Sequence, residues 1–447
     1  MKEWDTKVIP MKVNEKLEEY GLKKTCSSEN PINSDDGLAD SFWKAAFDLA
    51  VDTGVLCTAT QRVISFKESE LREAIRKAPT KHSRGEGRDA IVISPRMPED
   101  KKIGIVKSGP FGIPVSESLW IPVHQSCAQY REIDYIVPGN LYTVYGKELK
   151  TRSPHESLAG HLEAVLTKEA LKMAGRPSMP VDGVETSPTE YGHLSGFGTP
   201  GGYSPNNNDA VVLMHAELKT GFSALYKVAH SLVCNAQIHA GYWSFIGGYA
   251  GGPEGATLVS IAAAILQLLT SQASMVSGSV MDMRYIGNCG RDAVWANSVS
   301  WQAQSRNMRR LSFGIGNPVS GACTDMLLHE AIVGYLNCAV SGNAFPTGIR
   351  TAGGNQRDCT TGLESKFAAE VYKTSCGVKR PDANEIVKKI LPKYEDQLTK
   401  PPKGKSFTEC FDLKTLKPTK EWQEIYDRVW IELEDLGLQR YTNHSVD

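Results

Sequence analysis

The 447-residue sequence has no excess of charge of either sign: 50 Lys and Arg stand against 51 Asp and Glu, a net charge of −1 with histidine neutral. That balance argues against nucleic acid or an anionic membrane as the main partner. Long apolar runs are missing too. The longest, around Leu258–Leu269, is interrupted by Ser260 and Gln267 and reads as too short to cross a bilayer. The opening residues hold no apolar stretch of the kind a secretory signal needs. The ten cysteines are scattered and never form C-x-x-C, which reads as reduced thiols in a cytoplasmic protein. G-x-x-x-x-G-K-[ST], G-x-S-x-G and H-E-x-x-H are all absent, so the common phosphate-loop, hydrolase-elbow and zincin chemistries have no foothold. There is no internal repeat and no low-complexity segment.

What is present is a core-forming composition, 41% hydrophobic and 23% charged, with 40 glycines to punctuate it. Residues 1–102 read as a polar, mostly helical arm. Ser41–Val55 carries apolar residues at helical spacing, and Ser65–Lys77 is a second helix with a capping box from Ser65 to Glu68. From residue 103 apolar runs and helices alternate. Strands are expected at Ile103–Val106, Tyr135–Pro138, Ser178–Asp182, Ala210–Met214, Ala236–Ile246, Val280–Ile286, Leu311–Val319 and Asn343–Gly348. Helices are expected between and after them, the last with a capping box from Thr361 to Glu364. Roughly eight such alternations imply a parallel sheet with helical crossovers, and their number favours a closed barrel over an open sheet. The expected fold is therefore α/β: a (β/α)8 TIM-type barrel over 103–380, an N-terminal helical arm over 1–102, and a C-terminal extension over 381–447. In that extension Trp422, Tyr426, Val429, Trp430 and Leu433 mark an amphipathic helix that must pack on something.

Most single polar residues have a bland reading. His155 and His161 flank a helix start without a third ligand to complete a zinc set, and no metal is expected. His329 and Glu330 read as packing or surface polarity. Asn206–Asp209 reads as an exposed turn, and Gly247–Gly255 as a tight βα turn more than a phosphate loop. Barrel enzymes build their sites at the C-terminal strand ends. By that rule Asp182, His239, Trp243, Asp282, Arg284 and Asn317 are the candidates for one polar, partly aromatic pocket. The competing reading is an internal ion pair, Asp282 with Arg284 or an Asp with His239, that only supports the barrel.

The segment Met173–Ser187 (MAGRPSMPVDGVETS) resembles the signature of the methanogen monomethylamine:corrinoid methyltransferases. So do Gly87–Ala90, Ile121–His124, Gly247–Gly252, Gly404–Asp412 and Glu434–Gly437, in register from Ile9–Lys12 onward. The resemblance implies a (β/α)8 barrel, a homo-oligomer (a hexamer in the type case), and methyl transfer from a methylated amine to Co(I) of a separate corrinoid protein. No cofactor is then bound by the chain itself. The family carries pyrrolysine at the position matching Asp182. Two glutamates and a glutamine around it match Val211, Gly241 and Ile315 here, while Glu185 and Arg284 match the family.

The chemistry makes that departure informative. Co(I) attacks a methyl carbon and an amine must leave. A neutral amine leaves badly, and pyrrolysine is thought to make its nitrogen ammonium-like. Asp182 cannot form such an adduct, whereas a quaternary ammonium leaves as a neutral amine without help. Positive charge disappears in that step, so a carboxylate touching it would favour the ground state, while apolar and aromatic walls cost less. Asp182 is left with three jobs: anchoring a polar group of the donor, acting as a general acid if burial raises its pKa, or capping the strand as a remnant. The expected activity is pyrrolysine-independent methyl transfer from a quaternary or otherwise pre-activated amine. The alternatives are a catalytically retired barrel that binds a methylated amine or the corrinoid protein, and true monomethylamine transfer with Asp182 in a new role.

Overall fold

The computed structural model describes residues 1–186 and 189–441, leaving aside the side chain of Ser277. Ser187, the last residue of the Met173–Ser187 segment, lies outside the described residues.

Eight strands organise the chain: β1 Lys107–Ser108, β2 Tyr135–Ile136, β3 Asp182–Gly183, β4 Asp209–Leu213, β5 Ile238–Ile246, β6 Met275–Asp282, β7 Phe313–Ile315 and β8 Phe345–Thr347. Neighbours pair in parallel from β3 through β4 and β5 to β6, and from β7 through β8 and β1 to β2. Parallel bridges from Ile136 to Val181 and from Val276 to Ser312 join the two sets, so the pairing runs around a closed ring. Each strand is followed by a helix: α1 Trp120–Ala128, α2 Pro154–Met173, α3 Glu190–Gly196, α4 Phe222–Val233, α5 Pro253–Thr270, α6 Arg291–Ala303, α7 Asp325–Val340 and α8 Gly362–Ser375. Parallel neighbours need such crossovers, because a tight hairpin can only reverse the chain.

Alternation along the strands separates two cores. On β5 and β6 the odd-numbered Trp243 and Met275 join Phe111, Val137, Phe313, Ile315 and Phe345 inside the ring. The even-numbered Tyr242, Ile246 and Val280 face the helices and pack with the N-terminal helix Asp36–Thr53. That helix is capped by Asp35, which accepts from Leu38 N–H, and stops at Gly54 with φ 59°, a left-handed turn that suits glycine. The arm is thus part of the core. A hairpin, His82–Arg84 with Ile91–Ile93, contributes Ile93 to the inner core and closes the N-terminal end of the ring.

α5 corrects one expectation. It spans 18 residues and by length and composition alone is apolar enough to cross a bilayer, but 78% of it is buried inside the protein. The C-terminal helix Lys420–Asp435 packs its apolar face on α8, with Tyr426 and Trp430 against Phe367. The capping box at Thr361 and Glu364 forms as expected, whereas the one at Ser65 moves: Lys67 is the N-cap and its N–H donates to Glu70 at 2.7 Å. The sixth strand begins at Met275 and ends at Asp282, so the expected run Val280–Ile286 starts five residues too late and ends four too late.

Candidate functional site

At the start of β3, Asp182 is fully buried and pairs in register with Asp209 at the start of β4. Two carboxylates on neighbouring strands would repel in a low-dielectric interior, and the structure answers with cations. Lys107 Nζ, at the start of β1, reaches Asp182 Oδ1 and Oδ2 at 3.0 and 3.1 Å and lies 3.9 Å from Asp209. It also sits 4.1 Å from the centre of the Tyr135 ring. Asp209 accepts from Arg84 at 2.8 and 3.0 Å, from the Tyr135 hydroxyl, and lies 2.9 Å from His82 Nε2. Burial alone would push Asp182 up, but His239 and Lys107 outweigh it and hold the carboxyl below its ordinary range. That direction is opposite to the raised pKa a general acid at this position would need.

His239 on β5 completes the floor. Its Nδ1 stands 2.6 Å from Asp182 Oδ2, so the carboxylate fixes the proton on Nδ1 and leaves a lone pair on Nε2. Burial pushes the imidazole pKa down, against Asp182, which keeps the ring neutral. Nε2 is buried without a hydrogen-bond partner among the described residues, and Phe313 meets the ring edge-on at 4.1 Å between centroids.

Above this floor is a narrow space walled by Val211, Gly241, Ile315, Phe313, Thr347 and Trp243. All the matched apolar positions thus come together. Gly241 leaves room by having no side chain, since a Cβ there would press within 2.9 Å of Leu213. Trp243 Nε1 and Thr347 Oγ1 are buried and have no hydrogen-bond partner among the described residues, the mark of a polar lining that those residues do not satisfy. The space shares Phe111, Glu185, Val211, Leu213 and Trp243 with a wider outer cavity of about 420 Å³. Asn140, His215, Lys227 and Arg350 complete the outer wall. Glu185 is held there by its backbone: its N–H and that of Thr186 donate to the buried Glu163 of α2 at 3.2 and 2.7 Å. Burial, with Glu163 and Asp182 close by, pushes the Glu185 carboxyl up to about 8.

Residues 1–438 of the 447 match the family model for monomethylamine methyltransferase MtmB. The chain belongs to the monomethylamine methyltransferase family. It is 36% identical to monomethylamine methyltransferase MtmB3 of Methanosarcina barkeri over 98% of this chain and 94% of that protein. It is 34% identical to MtmB1 of Methanosarcina acetivorans with the same coverage. The crystal structure of the Methanosarcina barkeri enzyme superposes with a TM-score of 0.93 at 34% identity, covering 98% of this chain and 94% of that one. A crystal structure of a hydroxylamine MtmB complex gives the same figures.

Three expected site residues lie elsewhere in this methyltransferase-family chain. Asp282 is even-numbered on β6 and faces the helix side of the ring. It accepts from Arg284 N–H at 2.9 Å and from the Arg284 guanidinium, whose side chain is 64% exposed and also reaches Asp292. This is the Asp282–Arg284 ion pair, and neither residue lines the cavity described above. Asn317 lies two residues beyond β7, where its N–H donates to Asn288 at 2.8 Å, and it is not on the cavity wall. Asp209 overturns the exposed-turn reading of Asn206–Asp209: it is fully buried. Asn207 and Asn208 accept from Gly85 and Val181 N–H, stitching the loop to the barrel. The Gly247–Gly255 loop does make the tight turn, with Gly247 N–H donating to Gly251 at 2.8 Å. Glu330 is buried and accepts from Val319 and Ser320 N–H, a structural role. Among the described residues no His, Cys, Asp and Glu cluster has the arrangement of a metal site.

Proposed function

We propose that the chain is a TIM-barrel methyltransferase that moves a methyl group from a methylated amine to Co(I) of a separate corrinoid protein, without pyrrolysine, and that its favoured donor is a quaternary or otherwise pre-activated amine. We read 1–102, 103–380 and 381–447 as arm, barrel and extension of a cytoplasmic homo-oligomer. The observation that carries the donor assignment is the lock on Asp182. Its carboxylate is fully engaged by Lys107 and His239, so the floor offers no electrophile to activate a neutral amine. In the proposed step a Co–C bond forms, the C–N bond breaks, and its electron pair stays on nitrogen. A quaternary donor then departs as a neutral amine and needs no proton. Val211, Ile315 and Phe313 supply apolar contact for its methyl groups and Trp243 an aromatic face for its charge. These four side chains carry no charge, so they do not hold back the charge lost in the transition state.

His239 favours a second reading. An unpartnered lone pair at Nε2 suits a donor with an ammonium N–H, which also leaves as a neutral amine. In that case Asp182 acts as a positioning residue, fixing the imidazole tautomer. Retirement of the barrel to a binding module remains the third outcome of one experiment. Purified protein is mixed with Co(I)-state corrinoid protein, or free cob(I)alamin, and mono-, di-, tri- and tetramethylammonium, and growth of methyl-Co(III) is followed. Transfer from tetramethylammonium supports the first reading. Transfer only from donors with an N–H supports the second. Binding without transfer from any methylated donor supports retirement.

A further inference from the structure

We propose that the donor carries a carboxylate on the same molecule as its methylated nitrogen, and that Arg350 receives it. This rests on the reading of the cavity as a methylated-amine site and extends it to the donor's other end.

Arg350 follows β8 and lines the outer cavity, and its N–H donates to Gly316 at 3.2 Å, tying the loop to the end of β7. Its guanidinium lies on the backbone of Gly354. A Cβ there would fall 2.2 Å from the guanidinium carbon, and Gly354 has φ +74°. The side chain therefore lies against the bare backbone of Gly354. Five donor hydrogens need acceptors, yet the guanidinium makes one hydrogen bond among the described residues, to the Gly353 carbonyl at 2.9 Å. No carboxylate lies within ion-pair distance of it among those residues, although every other arginine buried to a similar degree in the barrel, such as Arg84, Arg96 and Arg176, is met by an anion or by several carbonyls. Burial pushes the Arg350 pKa down, only partly offset by Glu185. Lys227 of α4 lines the same wall. The outer cavity thus presents cationic groups beside a carboxyl that keeps its proton near neutral pH, while the inner space is apolar and aromatic. A molecule with a methylated cation at one end and a carboxylate at the other matches both zones, and a guanidinium is the residue type that meets a carboxylate through two parallel hydrogen bonds.

The test is equilibrium binding by calorimetry, which needs no corrinoid. The probes are N,N,N-trimethylglycine, its methyl ester, tetramethylammonium and acetate. Trimethylglycine is expected to bind about ten-fold tighter than its ester or tetramethylammonium, the scale of one charge-assisted pair. Arg350→Met should erase that advantage while leaving tetramethylammonium within about two-fold, and Arg350→Lys should recover part of it because a point charge remains. Melting curves of both variants report whether the loop still folds. Equal binding of acid and ester overturns the inference. So does acetate binding as tightly as trimethylglycine, which would mean an anion site unconnected to the amine site. Loss of tetramethylammonium binding in Arg350→Met overturns it too. If Arg350→Met instead leaves donor binding intact and raises the cob(I)alamin concentration needed for transfer, the guanidinium meets the methyl acceptor and the inference fails. Preference for the acid without methyl transfer would defeat the proposed function alone, and transfer without that preference would defeat this inference alone.

Discussion

At the floor of the cavity Lys107, Asp182 and Asp209 are buried and Arg84 is partly buried, and each has an opposite charge within 4 Å. At the outer wall Arg350 has one carbonyl, and the Glu185 carboxyl accepts no hydrogen bond among the described residues. The charges of the floor are paired when the chain folds, and only His239 Nε2 is left over among the described residues. The outer wall is open and is finished only when something enters. Buried polarity therefore says little about function until its partners are counted: a satisfied network supports the ring, and an unsatisfied one awaits a ligand.

The harshest way to break this contrast is at the floor. Asp182→Ala leaves Lys107 buried without its nearest counter-ion, and removing one partner of a buried pair costs about 3–5 kcal/mol. Chemical denaturation should show that loss, with Asp182→Asn losing less because the amide oxygen still accepts a hydrogen bond. A variant that stays within 1 kcal/mol of wild type would mean that the floor is not a folding element. Higher up, Trp243→Ala removes an aromatic face from the half-buried inner wall. The cost should fall on tetramethylammonium binding, about 1–2 kcal/mol or roughly ten-fold in Kd, with a smaller change in stability. Unchanged Kd would remove the cation from that wall.

How far this was legible in the sequence differs by zone. Asp182, Glu185, His239, Trp243, Val211, Gly241 and Ile315 meet in one cavity, because strand parity and the family register both point inward at those residues. Asp282 failed for a physical reason: the apolar run was started five residues late, and a strand's facing depends on where it starts. Lys107 and Asp209 were missed because a lysine after Ile103–Val106 and an aspartate after three asparagines read as solvated ends. Only the ring closure brings them within 3.9 Å. Arg350 and Lys227 were invisible for a similar reason, since nothing local separates a loop arginine or a helix lysine aimed inward from one facing water. The helix caps and the C-terminal packing face were readable because their signals are local in sequence.

Glu185 sharpens the comparison by titration. Its carboxyl is pushed up to about 8 by burial and by Glu163 and Asp182, so at pH 7 it is mostly protonated. A cationic donor should favour its ionised form and release a proton on binding near pH 7, and not at pH 9 where the proton has already gone. Calorimetry in buffers of different ionisation enthalpy measures this directly. Affinity for tetramethylammonium should rise a few-fold from pH 7 to 9 in wild type and stay flat in Glu185→Gln. The sign for stability is opposite. The folded state keeps a proton that the unfolded chain loses near pH 4.5, so the Glu185 penalty grows from about pH 4.5 to 8 and then levels off. Glu185→Gln should therefore melt no lower than wild type, and its relative stability should improve over that window.

The smallest effect belongs to a residue that matches the family yet stands outside the cavity. Arg284 meets the buried Asp282 and the partly exposed Asp292 with 64% of its own side chain exposed, so solvent screens the pair and water can replace the guanidinium, and pairs open to water contribute about 0–1 kcal/mol. Asp282 would still accept the backbone N–H of residue 284 at 2.9 Å if the guanidinium were removed. Arg284→Ala should therefore change stability by less than about 1 kcal/mol and leave binding of every methylated probe at its wild-type Kd. Equal binding with slower methylation of the corrinoid protein, but not of free cob(I)alamin, would place Arg284 on the face that meets the protein acceptor. A changed Kd for tetramethylammonium would instead reopen the assignment of Asp282 and Arg284 to the helix side of β6, because only a side chain on the cavity wall can act on a small bound cation without long-range charge, which solvent screens over this distance.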